Sequence, residues 1–217
     1  MTDHDLFPAA IETERLRLRQ LDRGTVGTLD LYEITGRSET IEEETRYLTM
    51  EPHDTPEETR DMIAGGEDQR ENADGAVYAV YPREGESGAG EIAGTTSLTC
   101  LWDRREARPG IMLRKRFWGR GYSGERAMAL MKLAFDRLDL EIFSPAHFDG
   151  NENSRRAIEK YVGRVGGQYE GVLRNWVPDG DEIHDLHRYS VSRAEWGANR
   201  PADLAVEFGD GEVANDE

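Results

Sequence analysis

Three glycines near the middle of the chain separate a strand-like run from a helix-like run. Gly119, Gly121 and Gly124 follow the short run 109–113, and from Tyr122 to Leu138 apolar side chains recur at helical spacing. Glycine lets the backbone approach a ligand closely, and the N-terminus of a helix attracts negative charge. The segment therefore predicts a strand–loop–helix unit whose amide groups bind a phosphate group.

Strand-like and helix-like segments alternate along the rest of the chain. Alternating or β-rich composition predicts seven strands, at 11–20, 76–81, 91–101, 109–113, 141–148, 168–173 and 183–192. Helical spacing covers 23–48, 55–64, 122–138 and 151–161. In the second of these helices, Thr55 is the predicted N-cap and Pro56 the first helical residue. This order of elements predicts the α/β class.

The length of 217 residues fits one domain with a core that needs neither a disulfide nor a metal. From Gly197 onward Asp, Glu, Gly and Ala dominate. A segment of that composition does not bury enough apolar surface to fold. We therefore predict a single domain over residues 1–196 and a disordered acidic tail over 197–217.

Cys100 is the only cysteine, which argues against disulfides, a cysteine-rich zinc site and an oxidising compartment. The N-terminus lacks the basic and apolar regions of a signal peptide. No run approaches the ~18 apolar residues of a membrane span. We predict a cytoplasmic protein that has no membrane partner and no metal.

The formal charge is −17, because 44 acidic residues face 27 basic ones. Lysine occurs only at Lys115, Lys132 and Lys160, so nearly all of the basic residues are arginine. The phosphates of nucleic acid would be repelled, so we predict no nucleic-acid partner. Acidic, lysine-poor surfaces resemble those of proteins from extreme halophiles, and attraction of a cationic substrate is the alternative reason for the charge.

The glycines also match the dinucleotide-binding pattern G-x-G-x-x-G, with Glu141 near the place of a ribose-binding acid. In a dinucleotide fold this turn follows the first strand of the sheet. Here several predicted strands and helices precede it, and too few residues follow to complete a doubly wound sheet. Position in the chain therefore argues against a dinucleotide enzyme.

With the preceding arginine included, the segment reads Arg116-x-x-Gly119-x-Gly121 and resembles the acetyl-coenzyme A signature of the GNAT superfamily, R/Q-x-x-G-x-G/A. Further matches resemble the RimJ/RimL-like branch of ribosomal-protein N-acetyltransferases. These are Ile11-Glu-Thr-Glu-Arg-Leu-Arg-Leu18, Phe117-Trp-Gly-Arg-Gly-Tyr122, Asn151-x-x-Ser154 with Glu159-Lys160, Gly171-Val-Leu-Arg174 and Glu195-Trp196. They extend from residue 11 to residue 196.

The resemblance implies a GNAT fold, with a central, mixed, mostly antiparallel twisted sheet of about seven strands flanked by helices. It implies an N-acetyltransferase, monomeric or homodimeric, that moves the acetyl group of acetyl-coenzyme A to a primary amine by direct attack. A protein N-terminus and a small-molecule amine are both possible acceptors. A module that binds acetyl-coenzyme A without chemistry is the alternative, because two residues common in the family are missing.

The resemblance and the loop chemistry together define the expected cofactor site. Backbone amides of residues 119–123 are expected to bind the pyrophosphate, and the strand at 111–114 is expected to splay from its neighbour and pair with the pantetheine arm. The predicted cofactor-binding residues are Leu113, Arg116, Gly119, Arg120, Gly121, Tyr122, Ser123, Gly124, Asn151 and Ser154.

Catalysis requires a base for the ammonium proton and a donor for the departing thiolate. Ser154 lies three residues after Asn151 on one helical face, and we predict that it donates to sulfur, with a helix cap as its alternative role. Many relatives use a tyrosine as that donor, where this chain has Ile158.

The second departure from the family concerns the general base. Many relatives carry a strand glutamate where this chain has Arg108, so we predict Glu106, one pleat away on the same face, as the substitute. Glu43, Glu44 and His147 are the other candidate bases, and relay through water is also possible.

Overall fold

Alternation of apolar and charged residues near the N-terminus produces a half-buried pair of strands: Leu16 and Leu18 are buried, whereas Arg17 between them is exposed. The computed structural model describes residues 6–180 and 182–209, and ten strands lie within them. The strands are β1 (Ala10–Thr13), β2 (Leu16–Gln20), β3 (Gly75–Pro82), β4 (Gly94–Leu101), β5 (Glu106–Leu113), β6 (Ile142–Phe143), β7 (Ala146–Phe148), β8 (Gln168–Asp179), β9 (Glu182–Ser192) and β10 (Val206–Gly209).

The strands form one sheet in the order β10-β1-β2-β3-β4-β5-β6-β9-β7, and β8 pairs with β9 off this path. Among the pairs described, β5 with β6 is parallel and the others are antiparallel. The predicted α/β class and mixed, mostly antiparallel sheet are confirmed. The sheet has three more strands than the seven predicted, because the runs 11–20 and 141–148 each form two strands and β10 was not predicted.

Six helices flank the sheet in the described part of the chain. They are α1 (Thr28–Thr35), α2 (Ile41–Thr45), α3 (Pro56–Glu71), α4 (Tyr122–Lys132), α5 (Glu152–Arg164) and α6 (Arg193–Asn199), and a π-helical turn, Leu133–Arg137, continues α4. One core cluster centres on α4, whose residues 126–131 are all buried. A second cluster lies under α1 and α3 and includes Leu31 and Ile63. None of these helices is long and apolar enough to cross a membrane.

The predicted helix over 23–48 is wrong in its extent. The chain forms α1 and α2 instead, with a break that begins at Gly36. A side chain at Gly36 would collide with the carbonyl oxygen of His53, so the break also lets a neighbouring segment approach closely. Helix α3 begins at Pro56 as predicted, but the Thr55 side chain makes no cap hydrogen bond.

The predicted strand 141–148 divides because Pro145 interrupts it. Ser144 still donates its amide to Ala107 of β5, at 2.8 Å, whereas proline has no N–H to continue the ladder. After this point β7 pairs with β9 and leaves β5.

The predicted acidic tail is wrong over part of its length. Helix α6 continues to Asn199, and Val206–Gly209 forms β10 against β1. Val206 is buried, and Phe208 packs against the core with the Lys132 ammonium 5.8 Å from its ring centroid. Two apolar residues on alternate positions are enough for an edge strand, although the surrounding composition is acidic. The folded part therefore extends beyond the predicted boundary at 196, whereas residues 210–217 of the predicted tail lie outside the described part.

Candidate active site

A cleft opens in the sheet where β5 loses its second neighbour. β5 pairs with β4 along its whole length but with β6 only at Glu106 and Ala107, because β6 has two residues. The outer edge of β5 from residue 109 onward therefore faces a cavity of about 1450 Å³. Its walls are β5, the glycine-rich loop, α4, the start of α5, β7 and residues 43–49 around the end of α2.

The glycine-rich loop presents unpaired amides to this cavity. Gly119 and Gly121 have φ angles of +75° and +80°, in the left-handed region that favours glycine. The amides of residues 124 and 125 bond back to the carbonyl oxygen of Gly121, at 3.1 Å each. Within the described residues, none of the five amides from 119 to 123 donates a hydrogen bond. Donors left unpaired beside a helix N-terminus form an anion-binding site.

Arg15 of the β1–β2 turn fixes the loop, a role that the sequence analysis missed. Its guanidinium donates to the carbonyl oxygen of Arg120 at 2.9 Å and to Glu125 of α4 at 2.7 Å, and its carbon lies 5.3 Å from the ring centroid of Tyr122. The Tyr122 hydroxyl donates to Glu86 at 2.6 Å. The loop is therefore positioned before any ligand arrives.

The two predicted loop arginines have different positions. Arg120 lines the cavity and donates to the carbonyl oxygen of Ser87 at 2.7 Å. Arg116 is not among the cavity-lining residues: it pairs with Glu91 through two hydrogen bonds, of 2.6 and 3.1 Å, and stacks on Phe117. The structure thus brings Arg120 to the site and leaves Arg116 outside it.

Leu113 ends β5 at the cavity wall, and its carbonyl oxygen accepts the indole N–H of Trp118 at 2.7 Å. This bond ties the strand to the loop that follows it. A cofactor arm that lies along the strand would contact the backbone of residues 109–112, because the carbonyl oxygen of Leu113 already accepts from Trp118.

Asn151 caps α5, which leaves the Ser154 hydroxyl available to a ligand in the cavity. The Asn151 Oδ1 accepts the backbone N–H of Ser154 at 3.0 Å, so the asparagine satisfies the first turn of the helix. No described residue hydrogen-bonds the Ser154 hydroxyl, and both residues line the cavity. The side-chain cap is therefore Asn151 and not Ser154. Ile158, one turn further, is buried against the same cavity.

Glu106 is not placed to act as a base, which corrects the prediction. Its carboxylate is buried, accepts hydrogen bonds from Arg108 and Arg188 at 2.7 Å each, and does not line the cavity. Burial alone would raise the pKa of Glu106, but these arginines outweigh it and hold the pKa below its usual value. Glu106 therefore joins β5 to β9 as a buried ion pair.

Glu44 has the free oxygen that a base requires. Its side chain is 7% exposed, and its Oε1 accepts the Lys115 backbone N–H at 2.7 Å and the Thr40 hydroxyl at 2.6 Å. Its Oε2 is buried without a hydrogen-bond partner, and the residue lines the cavity. The neighbouring Glu43 also lines the cavity, but it is half exposed and paired with the Lys115 ammonium at 2.6 Å.

His147 of β7 lies on the cavity wall as a neutral imidazole. Burial lowers its pKa, and its Nδ1 lies 2.8 Å from the carbonyl oxygen of Phe148, which assigns the proton to Nδ1. Its Nε2 lies 3.4 Å from the Tyr189 hydroxyl. Because tyrosine can donate to this nitrogen, the imidazole is less available as a base than the unpartnered oxygen of Glu44.

Acidic and basic side chains are nearly balanced around the cavity, although the net charge of the chain is strongly negative. Six acidic residues line it, namely Glu14, Glu43, Glu44, Glu125, Glu152 and Asp203. Seven basic side chains line it, namely Arg15, Arg46, Arg120, Arg126, Arg156, Lys160 and Arg164. Arg156, Lys160 and Arg164 recur every four residues and form a stripe along α5. Such a stripe beside unpaired amides suits a ligand with several phosphates. No cluster of three or more metal-ligating side chains occurs in residues 6–180 and 182–209.

Comparison with known proteins agrees with this geometry. Residues 15–162 match the family model described as an acetyltransferase (GNAT) domain. The uncharacterized N-acetyltransferase YoaA of Bacillus subtilis (strain 168) is 26% identical over 188 residues, which cover 86% of this chain and 97% of YoaA. YdaF of the same organism, provisionally described as a ribosomal N-acetyltransferase, is 32% identical over 108 residues, 49% of this chain and 57% of YdaF.

Among solved structures, the Microcin C7 self immunity acetyltransferase MccE, in complex with acetyl-CoA and AMP, has a TM-score of 0.72 to this chain. The identity is 17%, and the match covers 88% of this chain and 99% of MccE. At this identity the likeness shows a shared fold.

Proposed function

Because the chain belongs to the GNAT acetyltransferase family, we propose that it transfers the acetyl group of acetyl-coenzyme A to a primary amine. The observation that carries the proposal is the set of five unpaired amides at residues 119–123, at the start of α4 on the cavity wall. These amides bind the pyrophosphate. The basic stripe on α5 supplies further charge for the phosphates, and the free edge of β5 pairs with the pantetheine arm.

Three of the residues that line the cavity have separate roles in the reaction. Glu44 accepts the ammonium proton of the acceptor, directly or through one water, because its Oε2 has no other partner. The neutral amine then attacks the acetyl carbon, a C–N bond forms, the C–S bond breaks with its electron pair going to sulfur, and the nitrogen passes its second proton to the thiolate, which leaves as free coenzyme A. Ser154 donates its hydroxyl hydrogen bond to the departing sulfur, and Asn151 keeps that hydroxyl free by capping the helix.

The acceptor is proposed as a class, an amine on a protein N-terminus or on a small molecule. The RimJ/RimL-like motifs, together with the partial likeness to YdaF, support a protein N-terminus. We also propose that the protein works in the cytoplasm, as a monomer or a homodimer, with a single domain that includes β10, because β10 pairs with β1.

A thiol-release assay over peptide and small-amine acceptors tests the proposal directly. We expect free coenzyme A to appear only when a suitable amine is present, and acetyl-coenzyme A to raise the melting temperature of the protein through binding to the native state. Binding of acetyl-coenzyme A without release of thiol in the presence of any acceptor would favour the alternative, a module that binds the cofactor without chemistry. Thermal protection by NAD and not by acetyl-coenzyme A would overturn the assignment.

Ser154→Ala is expected to lower turnover about tenfold or more with nearly unchanged affinity for acetyl-coenzyme A, because one positioned donor to the thiolate is lost. The melting temperature should hardly change, since Asn151 provides the cap. Ser192→Ala is the matched control: Ser192 caps α6 and accepts the N–H of Glu195, so its loss should cost about 1 kcal/mol of stability and leave turnover unchanged. Wild-type turnover in Ser154→Ala would remove the serine from the mechanism.

We further propose that the acidic surface is a salt adaptation. Even if every basic side chain were paired, 17 negative charges would remain, and they repel one another in dilute buffer. Molar KCl shortens the Debye length to about 3 Å, so we expect the melting temperature to rise by several degrees between dilute and molar KCl. The exposed arginine–carboxylate pairs weaken in salt by a smaller amount, because such pairs contribute little. A flat or falling curve would contradict the adaptation.

A further inference from the structure

The two core clusters lie on opposite faces of the sheet. Along β3, Tyr78 belongs to the cluster that contains side chains of α4 and α5, whereas the next residue, Ala79, belongs to the cluster under α1 and α3. Neighbouring residues of a strand point to opposite faces. The glycine-rich loop at the start of α4 and the basic stripe on α5 are therefore on one face, and α1 and α3 are on the other.

The cavity connects the two faces through the gap beside β5. Leu48, three residues after α2, lines the cavity and packs against the cluster under α1 and α3. Tyr161 of α5 lines the same cavity and belongs to the other cluster. The proposed base, Glu44, lies in α2, four residues before Leu48. The acceptor amine therefore reaches Glu44 from the α2 face, whereas the phosphates of the donor bind on the α5 face.

The cavity wall formed by β7, β8 and β9 is apolar on the α2 face. Phe148 of β7 pairs directly with Leu186 of β9, and both line the cavity. Tyr189, three residues further along β9, belongs to the α5 cluster, so Leu186 and Phe148 point to the opposite face. Val177 of β8 also lines the cavity, and it pairs with His184, two residues from Leu186 and on the same face.

Tyr47 brings the α2 side close to this wall. Its hydroxyl oxygen would lie 3.5 Å from a Cβ added at Gly150, which follows β7 by two residues. We call the apolar cavity lining on the α2 face the apolar compartment; it consists of Tyr47, Leu48, Phe148, Val177 and Leu186. All of them except Phe148 are only half buried. A ligand with an apolar group would be stabilised here, because it removes this surface from water.

The charged side chains beside the apolar compartment leave little to bind a polar acceptor. Glu43 is paired with the Lys115 ammonium at 2.6 Å, and Glu44 is the proposed base. Arg46 is exposed, and its guanidinium carbon lies 5.7 Å from the ring centroid of Tyr47. A carboxylate on the acceptor would bind at Arg46, which makes a free amino acid the alternative acceptor.

We propose that the acceptor carries an apolar group next to its amine and that the apolar compartment selects it. The inference rests on the proposed acetyl transfer and names the class of acceptor. With the amine at Glu44 and the thioester in the gap beside β5, the apolar group of the acceptor packs against Phe148 and Leu186. A peptide that begins with an apolar residue and a small amine with the same group share this chemistry.

Two pairs of acceptors, each matched in shape, test the proposal and distinguish its two sources. The small pair is isopentylamine and β-alaninamide. The peptide pair consists of tripeptide amides that begin with leucine or asparagine and continue with two alanines. In the thiol-release assay, kcat/KM should be about tenfold to a hundredfold higher for the apolar member, the gain from burying one leucine-sized group. A preference within the peptide pair alone would identify a peptide acceptor, and one within the small pair alone a small amine.

Variants of the apolar compartment show whether it causes the preference. Leu186→Asn should bring the ratio of the two kcat/KM values close to one, because it places an amide where the apolar group packs. Its affinity for acetyl-coenzyme A should equal that of wild type, since the phosphates bind on the other face. Ile183→Asn is the matched control: Ile183 lies on the same strand, is 56% exposed and does not line the cavity, so the ratio should stay that of wild type.

A shape-conserving pair of variants covers the case in which Leu186→Asn does not fold. Val177→Thr keeps the shape of the side chain and adds a hydroxyl to the compartment, so it should lower the ratio severalfold. Val172→Thr makes the same change at an exposed position of β8 that does not line the cavity, and it should leave the ratio unchanged. Because each ratio compares the same two acceptors, differences in amine basicity cancel between proteins.

The outcomes separate this inference from the proposed function. Equal kcat/KM within both pairs, or a preference that survives Leu186→Asn and Val177→Thr, would overturn the apolar acceptor. Loss of acetyl-coenzyme A affinity in Leu186→Asn would overturn it and assign the compartment to the pantetheine arm. Equal use of free leucine and free asparagine, both above the amines, would overturn it in favour of Arg46. Thiol release with other amines but with neither apolar probe would overturn this inference alone, whereas release with no amine would overturn the acetyl transfer as well.

Discussion

Gly121→Asp should lower the affinity for acetyl-coenzyme A about a thousandfold. Two unit charges 4 Å apart repel by about 4 kcal/mol at an effective dielectric constant of about 20, and a new carboxylate here would meet the pyrophosphate at that range. The φ of Gly121 is +80°, which aspartate tolerates better than most residues, and a new Cβ would meet only Arg15 Nη2, at 3.4 Å. The fold should therefore survive. Isothermal titration with acetyl-coenzyme A measures the loss.

Gly180→Asp is the matched control for this substitution. Gly180 also has a positive φ, of +55°, lies in the turn between β8 and β9, and has open space where a Cβ would stand. The control introduces the same charge and similar backbone strain away from the cavity, so its affinity should equal that of wild type. If Gly121→Asp kept wild-type affinity, the pyrophosphate would not bind at this loop.

Glu44→Gln should lower kcat/KM about a hundredfold to ten-thousandfold, the range for loss of a positioned base. The amide oxygen of glutamine can still accept from the Lys115 N–H and the Thr40 hydroxyl, so the local structure should be kept. What changes is the unpartnered Oε2, which becomes an amide nitrogen unable to take a proton. Steady-state kinetics with a fixed acceptor measure the effect.

Two further glutamine variants show whether the effect belongs to Glu44. Glu43→Gln removes the neighbouring carboxylate, which is exposed and paired with Lys115, and should change kcat/KM only a few-fold. Glu106→Gln weakens a buried ion pair with Arg108 and Arg188, so it should lower the melting temperature and keep most of the turnover per folded molecule. A larger kinetic loss in Glu106→Gln than in Glu44→Gln would restore Glu106 as the base.

The glycine-rich unit could be predicted from the sequence because its signals are local. Glycine spacing, the apolar run before it and helical periodicity after it all lie within residues 109–138, and β5 and α4 form there. The start of α3 at Pro56 was predictable for the same reason. Pro145 is also a local feature of the sequence. Because β6 ends before this proline, β5 and β6 pair at only two positions, and the cleft opens beyond them.

The roles of individual charged side chains could not be predicted, because their partners are distant in sequence. Glu106 is neutralised by Arg188, 82 residues away, and Arg116 by Glu91, 25 residues away. Arg15 donates to the carbonyl oxygen of Arg120 in the loop, 105 residues further along the sequence. Two local signals were missed, namely Pro145 inside the predicted strand 141–148 and Arg126 beside an apolar stretch of α4.

The pairing of β10 with β1 has a mechanical consequence. Ala10 lies opposite Gly209 and Thr13 opposite Val206, so the incoming and outgoing chain meet at the same end of this two-strand ladder. A force that draws the two ends apart loads these hydrogen-bonded pairs one after another, as in opening a zipper, instead of all at once. A pulling force on the C-terminus would thus separate β10 first, expose the edge of β1, and withdraw Val206 from the wall of the cavity.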